Sequence, residues 1–247
     1  MNIADAVVLV TGANRGLGRE IVLASLKAGA RKVYAGAREP QQLAALVRES
    51  EGRVVPLTID VTREVTLAAA AEVATDVTLL FNNAGVVASQ QVLSSSVQAL
   101  QQDFATNVFG VLSTTKAFLP ALEKNGRDAS AAIVNILSVV SLSSMPALGG
   151  YSASKAAAHS VTQALRSELS TRRVQVHGVF AGAIDTDMTR DMKNMPKASP
   201  VDVARAILQG VERGVEDIFP DAMSAGAFET WRRDPKELER QLASLTG

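Results

Sequence analysis

The chain has no cysteine and only two histidines. That excludes disulfides, a thiolate nucleophile and a cysteine-ligated metal, and two separated imidazoles do not make a metal site, so no metal is expected. An excess of one charge is missing too: 25 basic residues balance 25 acidic ones, and the basic residues are scattered. No nucleic acid and no anionic membrane surface is therefore expected as a partner; a small molecule is. Long hydrophobic runs are also lacking. Met1 to Asp5 carry no basic region, and Val7 to Val10 is far too short for a signal core or a membrane span, so the expected location is cytoplasmic.

What is present is a chain of 247 residues that is 47% apolar, enough to bury a sizeable core as one domain, 1–247. Val7–Val10 is an apolar run that ends in a glycine-rich turn, and Arg19 to Ala28 then carries apolar residues at helical spacing. Similar runs recur at Lys32–Ala37, Val54–Ile59, Val77–Phe81, Ala132–Leu137, Gln175–Phe180 and Val215–Phe219, with helical stretches between most of them. Strands apolar on both faces that alternate with helices predict an α/β, doubly wound, Rossmann-type parallel sheet of about seven strands. Residues 183–200 form the main irregular stretch and are read as a substrate lid. The tail 225–245 reads as a helix or two, with Trp231 as its large apolar handle.

Thr11-Gly12-Ala13-Asn14-Arg15-Gly16-Leu17-Gly18 joins the first strand to the first helix. Glycines at this spacing let the backbone approach a pyrophosphate at a helix N-terminus; the plain alternative is a tight turn with close strand–helix packing. Its place after the first strand of an alternating pattern favours binding. At the end of the second strand, where an NAD enzyme usually places an acidic residue for the ribose hydroxyls, stands Ala37-Arg38. With no carboxylate expected there, Arg38, and Arg15 in the loop, suit the 2′-phosphate of NADP. The alternative is that both arginines are solvated surface charges.

Tyr151 and Lys155 lie one helical turn apart, so phenol and ammonium project from one face, and Ser138 stands thirteen residues upstream after an apolar run. A nearby cation favours the phenolate, which predicts that Lys155 brings Tyr151 within reach of proton transfer near neutrality. His159, two turns beyond Tyr151, is too far for direct transfer and reads as packing or a subunit contact; His177, inside a strand, reads as structural.

Together these residues resemble the short-chain dehydrogenase/reductase family from the first strand to about Thr189. The motifs occur in order: the glycine loop, Asp60-Val61 after the third strand, Asn82-Asn83-Ala84-Gly85 after the fourth, Asn107 in a helix, Ser138, the Tyr151/Lys155 pair and Thr186. The resemblance implies a cofactor site of Gly12, Asn14, Arg15, Gly16, Leu17, Gly18 and Arg38, with Asp60 and Val61 on the adenine. Asn83, Ala84 and Gly85 would lie beside the cofactor, Gly182 and Ile184 under the nicotinamide, and Thr186 on its carboxamide. It also implies a catalytic set of Asn107, Ser138, Tyr151 and Lys155. Ser138 would polarise the substrate oxygen and Tyr151 pass the proton; Lys155 would bind the nicotinamide ribose and lower the Tyr151 pKa, and Asn107 would hold a water leading from Lys155 to solvent. Family members assemble through the helices that carry Asn107 and Tyr151, so a homodimer or homotetramer is expected. Two places depart from the pattern: Phe180-Ala181-Gly182 lacks the proline common before this glycine, and Thr75-Asp76-Val77-Thr78 lacks the aspartate usual two residues before the last leucine–apolar–asparagine run.

Val86, Val139, Val140, Met145, Ala183, Ile184 and Met188 are the expected pocket lining, which suits an uncharged ketone or aldehyde, or the matching secondary alcohol. The expected activity is hydride transfer between NADP(H) and such a substrate. Two alternatives stay open: a 3-oxoacyl-thioester ketoreductase of the same fold, and a non-catalytic NADP(H)-binding redox sensor.

Overall fold

A computed structural model of the chain describes residues 1–126, 131–193 and 195–245. Seven parallel strands form one sheet in the order β3-β2-β1-β4-β5-β6-β7. They are β1 (Val7–Thr11), β2 (Lys32–Ala37), β3 (Val54–Thr58), β4 (Leu79–Asn82), β5 (Ala131–Ile136), β6 (Val174–Val179) and β7 (Asp217–Ile218). Helices α1 (Gly16–Lys27), α2 (Ala44–Glu49), α3 (Glu64–Val73), α4 (Val97–Phe104), α5 (Gly110–Asn125), α6 (Gly149–Leu169) and α7 (Pro200–Glu212) connect them. Parallel strands need crossovers, and right-handed crossovers place these helices on both faces.

The central strands are buried along their whole length, and two aliphatic layers cover them. On one face α1 and α7 close over Val8, Val10, Leu79 and Val134; on the other, Phe118 and Leu122 of α5 and Leu165 of α6 cover Leu9, Leu80 and Ile133. A polar thread runs through the second layer. Asn82 Nδ2 donates to Thr115 Oγ1 (3.1 Å) and to Asn135 Oδ1 (2.8 Å), and Asn135 Nδ2 donates to Thr162 Oγ1 (3.0 Å). Buried amides need such partners, and these lock α5 and α6 in register with β4 and β5.

The strand order reverses between β1 and β4, which opens a crevice at the carboxyl edge of the sheet. The predicted strand Val215–Phe219 shrinks to two residues, because Gly214 turns with a φ of 70° and Val215 N is bonded back to Gly210 O. Residues 183–200 leave the sheet and return. Ala198 N donates to Ala183 O and Asp185 N to Ala198 O, so backbone bonds pin the two ends of the excursion together; Asn194 within it lies outside the described residues. The C-terminal segment forms α8 (Ala222–Arg233) and α9 (Pro235–Ser244), whose Ala227, Trp231, Leu238 and Leu242 pack with Val139, Val140 and Met145.

Candidate active site

A cavity of about 560 Å³ runs along the carboxyl edge from the glycine loop to Tyr151. At its first end Gly12 has a φ of 65°, a conformation other side chains resist. A Cβ on Gly18 would collide with the Gly12 carbonyl and stand 2.5 Å from Asn83 Nδ2, so the first turn of α1 packs against bare backbone. Asn83 staples this loop to the turn after β4, donating from Nδ2 to the Thr11 (2.8 Å) and Gly12 (3.2 Å) carbonyls. Thr11 Oγ1 accepts from both Asn83 N and Ala84 N at 3.0 Å. Two loops that line one crevice are thereby a single rigid unit, with the N-terminus of α1 facing the cavity. That suits a pyrophosphate.

Farther along, Arg38, Asp60 and Val61 line the cavity. Burial works against the Asp60 carboxylate, but hydrogen bonds from Thr62 and the charges of Arg38 and Arg63 outweigh it and hold its pKa below the ordinary carboxylate value. Two features correct the sequence expectation of an uncontested phosphate site. Glu39, next to Arg38, also lines the wall, where it accepts from Gln42 Nε2 (2.9 Å), while Asn14 Nδ2 donates to Gln42 Oε1 (2.6 Å). Arg15 is taken up by Asp187 of the excursion at 3.2 Å, and Arg190 pairs with the same carboxylate. Arg38 thus lines the wall with its charge acting on Asp60 and an acidic neighbour, Glu39, beside it.

At the far end the fold brings Ser138, Tyr151 and Lys155 together. Ser138 lies two residues past β5 and caps the short turn Val139–Ser141. Tyr151 and Lys155 occupy the first two turns of α6, and the Ser138 hydroxyl is close enough to the phenol to act on its pKa. Lys155 is 5% exposed; its Nζ donates to Ile136 O (2.7 Å) and lies 5.7 Å from the centroid of the Tyr151 ring. Burial pushes the Tyr151 phenol up from its ordinary value, the Asp103 charge pushes the same way, and the Ser138 hydrogen bond opposes them. Burial thus dominates at the phenol, and the Lys155 ammonium, expected to acidify it, is directed at the Ile136 carbonyl. Burial also lowers Lys155 to about 8, against the attraction of Asp103.

Asn107 sits in a π-helical turn, Ala105–Phe109, between α4 and α5, and is 0% exposed. Its Nδ2 donates to Val86 O (2.9 Å) and Ser154 Oγ (3.0 Å), and its Oδ1 accepts from Val86 N (3.0 Å). The side chain thus clamps the segment after Gly85 to α6, and both amide hydrogens are committed to protein partners. Gly85, Gly182, Ile184 and Thr186 line the same cavity, as do the expected pocket residues Val86, Val139, Val140, Met145, Ala183 and Met188. His159 stands edge-on to Phe180 with ring centroids 4.8 Å apart, and His177 Nδ1 is 2.6 Å from Val215 O; neither lines the cavity.

Sequence reasoning missed Asp103. It is fully buried one turn before Asn107 and accepts from Ala88 N (2.7 Å), Ser89 N (3.1 Å) and the Ser89 hydroxyl. Three donors hold this carboxylate under the catalytic end, where it acts on both Tyr151 and Lys155. Also missed were Val87, Leu148 and Met223 of the wall, whereas Met192 and Met195 belong to the segment expected to line it.

Residues 6–197 match the family model described as short chain dehydrogenase. A curated relative, dehydrogenase/reductase SDR family member 7B of Danio rerio, is 31% identical over 243 residues, covering 88% of this chain and 77% of the fish protein. Among solved structures, a short chain dehydrogenase from Burkholderia cenocepacia in complex with NADP superposes with a TM-score of 0.91 at 39% identity, over 98% of this chain and 99% of that one. A short chain dehydrogenase/reductase from Burkholderia phymatum in complex with NAD superposes with a TM-score of 0.85 at 24% identity, over 96% of each chain, a likeness of fold. The chain belongs to the short-chain dehydrogenase/reductase family of nicotinamide-dependent oxidoreductases.

Proposed function

We propose that the protein is an NADP(H)-dependent carbonyl reductase, working reversibly on secondary alcohols, with Tyr151 as the proton donor. The observation that carries this reading is the meeting of Ser138, Tyr151 and Lys155 in the cavity whose other end is the glycine loop. Gly12, Asn14, Gly16, Leu17 and Gly18 would hold the pyrophosphate, Asp60 and Val61 the adenine, and Asn83, Ala84, Gly85, Gly182, Ile184 and Thr186 the nicotinamide half. When bound, the dinucleotide supplies the hydride that the carbonyl carbon accepts.

The chain's residues then have to manage the oxygen. As the carbon–oxygen double bond becomes single, negative charge builds on oxygen, and two donors are at hand in Ser138 and Tyr151. The phenol, kept protonated by its burial, is an acid rather than a base at neutral pH, which suits reduction. It gives its proton to the oxygen and regains one from solvent past Lys155, whose pKa of about 8 keeps an ammonium available at neutral pH. Asn107 keeps the segment after Gly85 and α6 in register around this exchange.

NADP is favoured over NAD through Arg38, with Glu39 opposing; the NADP complex of the 39% identical Burkholderia cenocepacia protein points the same way. The wall near Tyr151 is apolar, which favours free ketones over acyl-carrier thioesters, and excursion 183–200 serves as the lid. A sensor would need the nucleotide loop but no buried proton donor. Turnover of a ketone panel with NADPH and with NADH tests the reading: NADPH should be used about tenfold better or more, and Arg38→Ala should erode that gap, since a charge-assisted phosphate pair is worth roughly 1.5–3 kcal/mol. Equal use of both cofactors by the unmodified protein would remove the NADP assignment, and nucleotide binding without turnover of any carbonyl would favour the sensor.

A further inference from the structure

Every methionine of the chain after Met1 lines the one cavity: Met145, Met188, Met192, Met195 and Met223. They come from three separate stretches, the turn before α6, the excursion 183–200 and the start of α8. None of the chain's seven phenylalanines, nor its single tryptophan, lines that wall. The rings are used elsewhere: Phe180, Phe219, Phe228 and Trp231 stack in a column with centroids 5.0, 4.2 and 6.2 Å apart in sequence.

Core filling explains only part of this. Met145 is buried among Val139, Val140, Leu238 and Leu242 and Met195 packs against that cluster, but Met188 is 50% exposed and Met192 is half-buried on the excursion. Exposed thioethers fill no core. Met223 packs where Gly182 has no side chain, its Sδ 3.0 Å from where a Cβ would stand, which brings a thioether against the turn under the nicotinamide site. The thioether is polarisable and attracts aromatic rings, and the unbranched side chain re-forms around different outlines, whereas the valines at 86, 139 and 140 give a stiff floor. The cationic lining residues, Arg15, Arg38 and Lys155, lie at the nucleotide end or are buried beside Tyr151, so the methionine wall offers no charge to a phosphate or carboxylate.

We infer that the methionine-lined half of the cavity selects uncharged aryl ketones of varied outline over saturated ketones of the same size and over acyl thioesters. This rests on the carbonyl reductase reading and names its substrate class. The test compares flat with puckered rings on one skeleton, acetophenone with cyclohexyl methyl ketone, and 2-acetylnaphthalene with its fully saturated counterpart. For each, kcat/KM is measured with NADPH, and the rise in Tm of the NADPH-bound protein reports binding independently of turnover. The protein is compared with Met188→Leu/Met192→Leu/Met195→Leu, which keeps volume and apolarity. Taking the aryl-to-saturated ratio of each protein, and then the quotient, cancels the intrinsic difference in carbonyl reactivity.

The expected result is an aryl preference about fivefold or more higher in the unmodified protein, the size of one or two sulfur–ring contacts. Should the triple variant not fold, Met188→Leu alone carries the comparison, since that side chain is half exposed. An unchanged quotient, or faster turnover of an acetoacetyl thioester than of any aryl ketone, overturns the inference. Aryl ketones that raise the Tm selectively yet are not reduced would sink the reductase reading and leave the selectivity standing.

Discussion

Replacing Lys155 by methionine should abolish turnover and yet leave the empty protein as stable as before, or more so. The lysine ammonium is buried, with a single carbonyl, Ile136 O, as its hydrogen-bond acceptor, and burial brings its pKa from 10.5 to about 8. A depression of that size corresponds to about 3 kcal/mol of native-state stability given up to keep the group charged. Against it stands the Ile136 carbonyl, which would lose its donor at a penalty of about 1–3 kcal/mol. The net change at neutral pH falls between about zero and +2 kcal/mol, and at about 2–4 °C per kcal/mol for a domain of this size the Tm should be unchanged or several degrees higher. The sign with pH follows from the folded pKa lying below the unfolded one. Below about pH 8 both states are protonated and the whole cost is present; between about 8 and 10.5 the native state loses its proton first, and the cost is relieved. Denaturant unfolding of Lys155→Met and unmodified protein, without nucleotide, at neutral pH and near pH 10 is the assay. The variant's advantage should shrink by nearly 3 kcal/mol across that window. A variant destabilised by more than about 2 kcal/mol at neutral pH, or a difference that ignores pH, would refute the reasoning.

Two further perturbations probe the rest of the site. Asp103→Asn removes the charge that raises both Tyr151 and Lys155, so the alkaline fall in reductase activity should move to lower pH, by up to about one unit; a weaker but unshifted profile would make Asp103 a structural anchor alone. Gly18→Ala forces a Cβ against the Gly12 carbonyl and Asn83 Nδ2, so NADPH affinity measured by titration should fall at least about tenfold, with a stability loss of roughly 1–3 kcal/mol; wild-type affinity would show that the loop need not be tight.

The strands were legible because most are short apolar runs, buried on both faces at the centre of the sheet, and most differ from their predicted bounds by one or two residues at an end. The last one was overread: Val215 and Phe219 look like strand residues, but the turn at Gly214 and Pro220 leave room for only Asp217 and Ile218. The site's reacting groups were legible through spacing, since four residues on a helix place Tyr151 and Lys155 on one face. Spacing says nothing of depth, however. How far each group is buried weighs on which way its pKa moves, and burial pushes Tyr151 up. Asp103 was invisible for a related reason: an aspartate among glutamines in a helical stretch looks solvated, and its donors at 88 and 89 lie in an irregular segment. The methionine wall is spread over nearly eighty residues of chain, from Met145 to Met223, and only the fold gathers it.

The most direct measurement is a single turnover of NADPH-bound Tyr151→Phe with a ketone that the unmodified protein reduces, followed by loss of the reduced-nicotinamide absorbance, with NADPH affinity titrated in parallel. The phenylalanine keeps the ring and removes the hydroxyl on which Ser138 acts. Hydride transfer should slow by at least about a hundredfold, the usual worth of a positioned general acid, while NADPH affinity stays within about threefold. Transfer at the unmodified rate would show that another group delivers the proton.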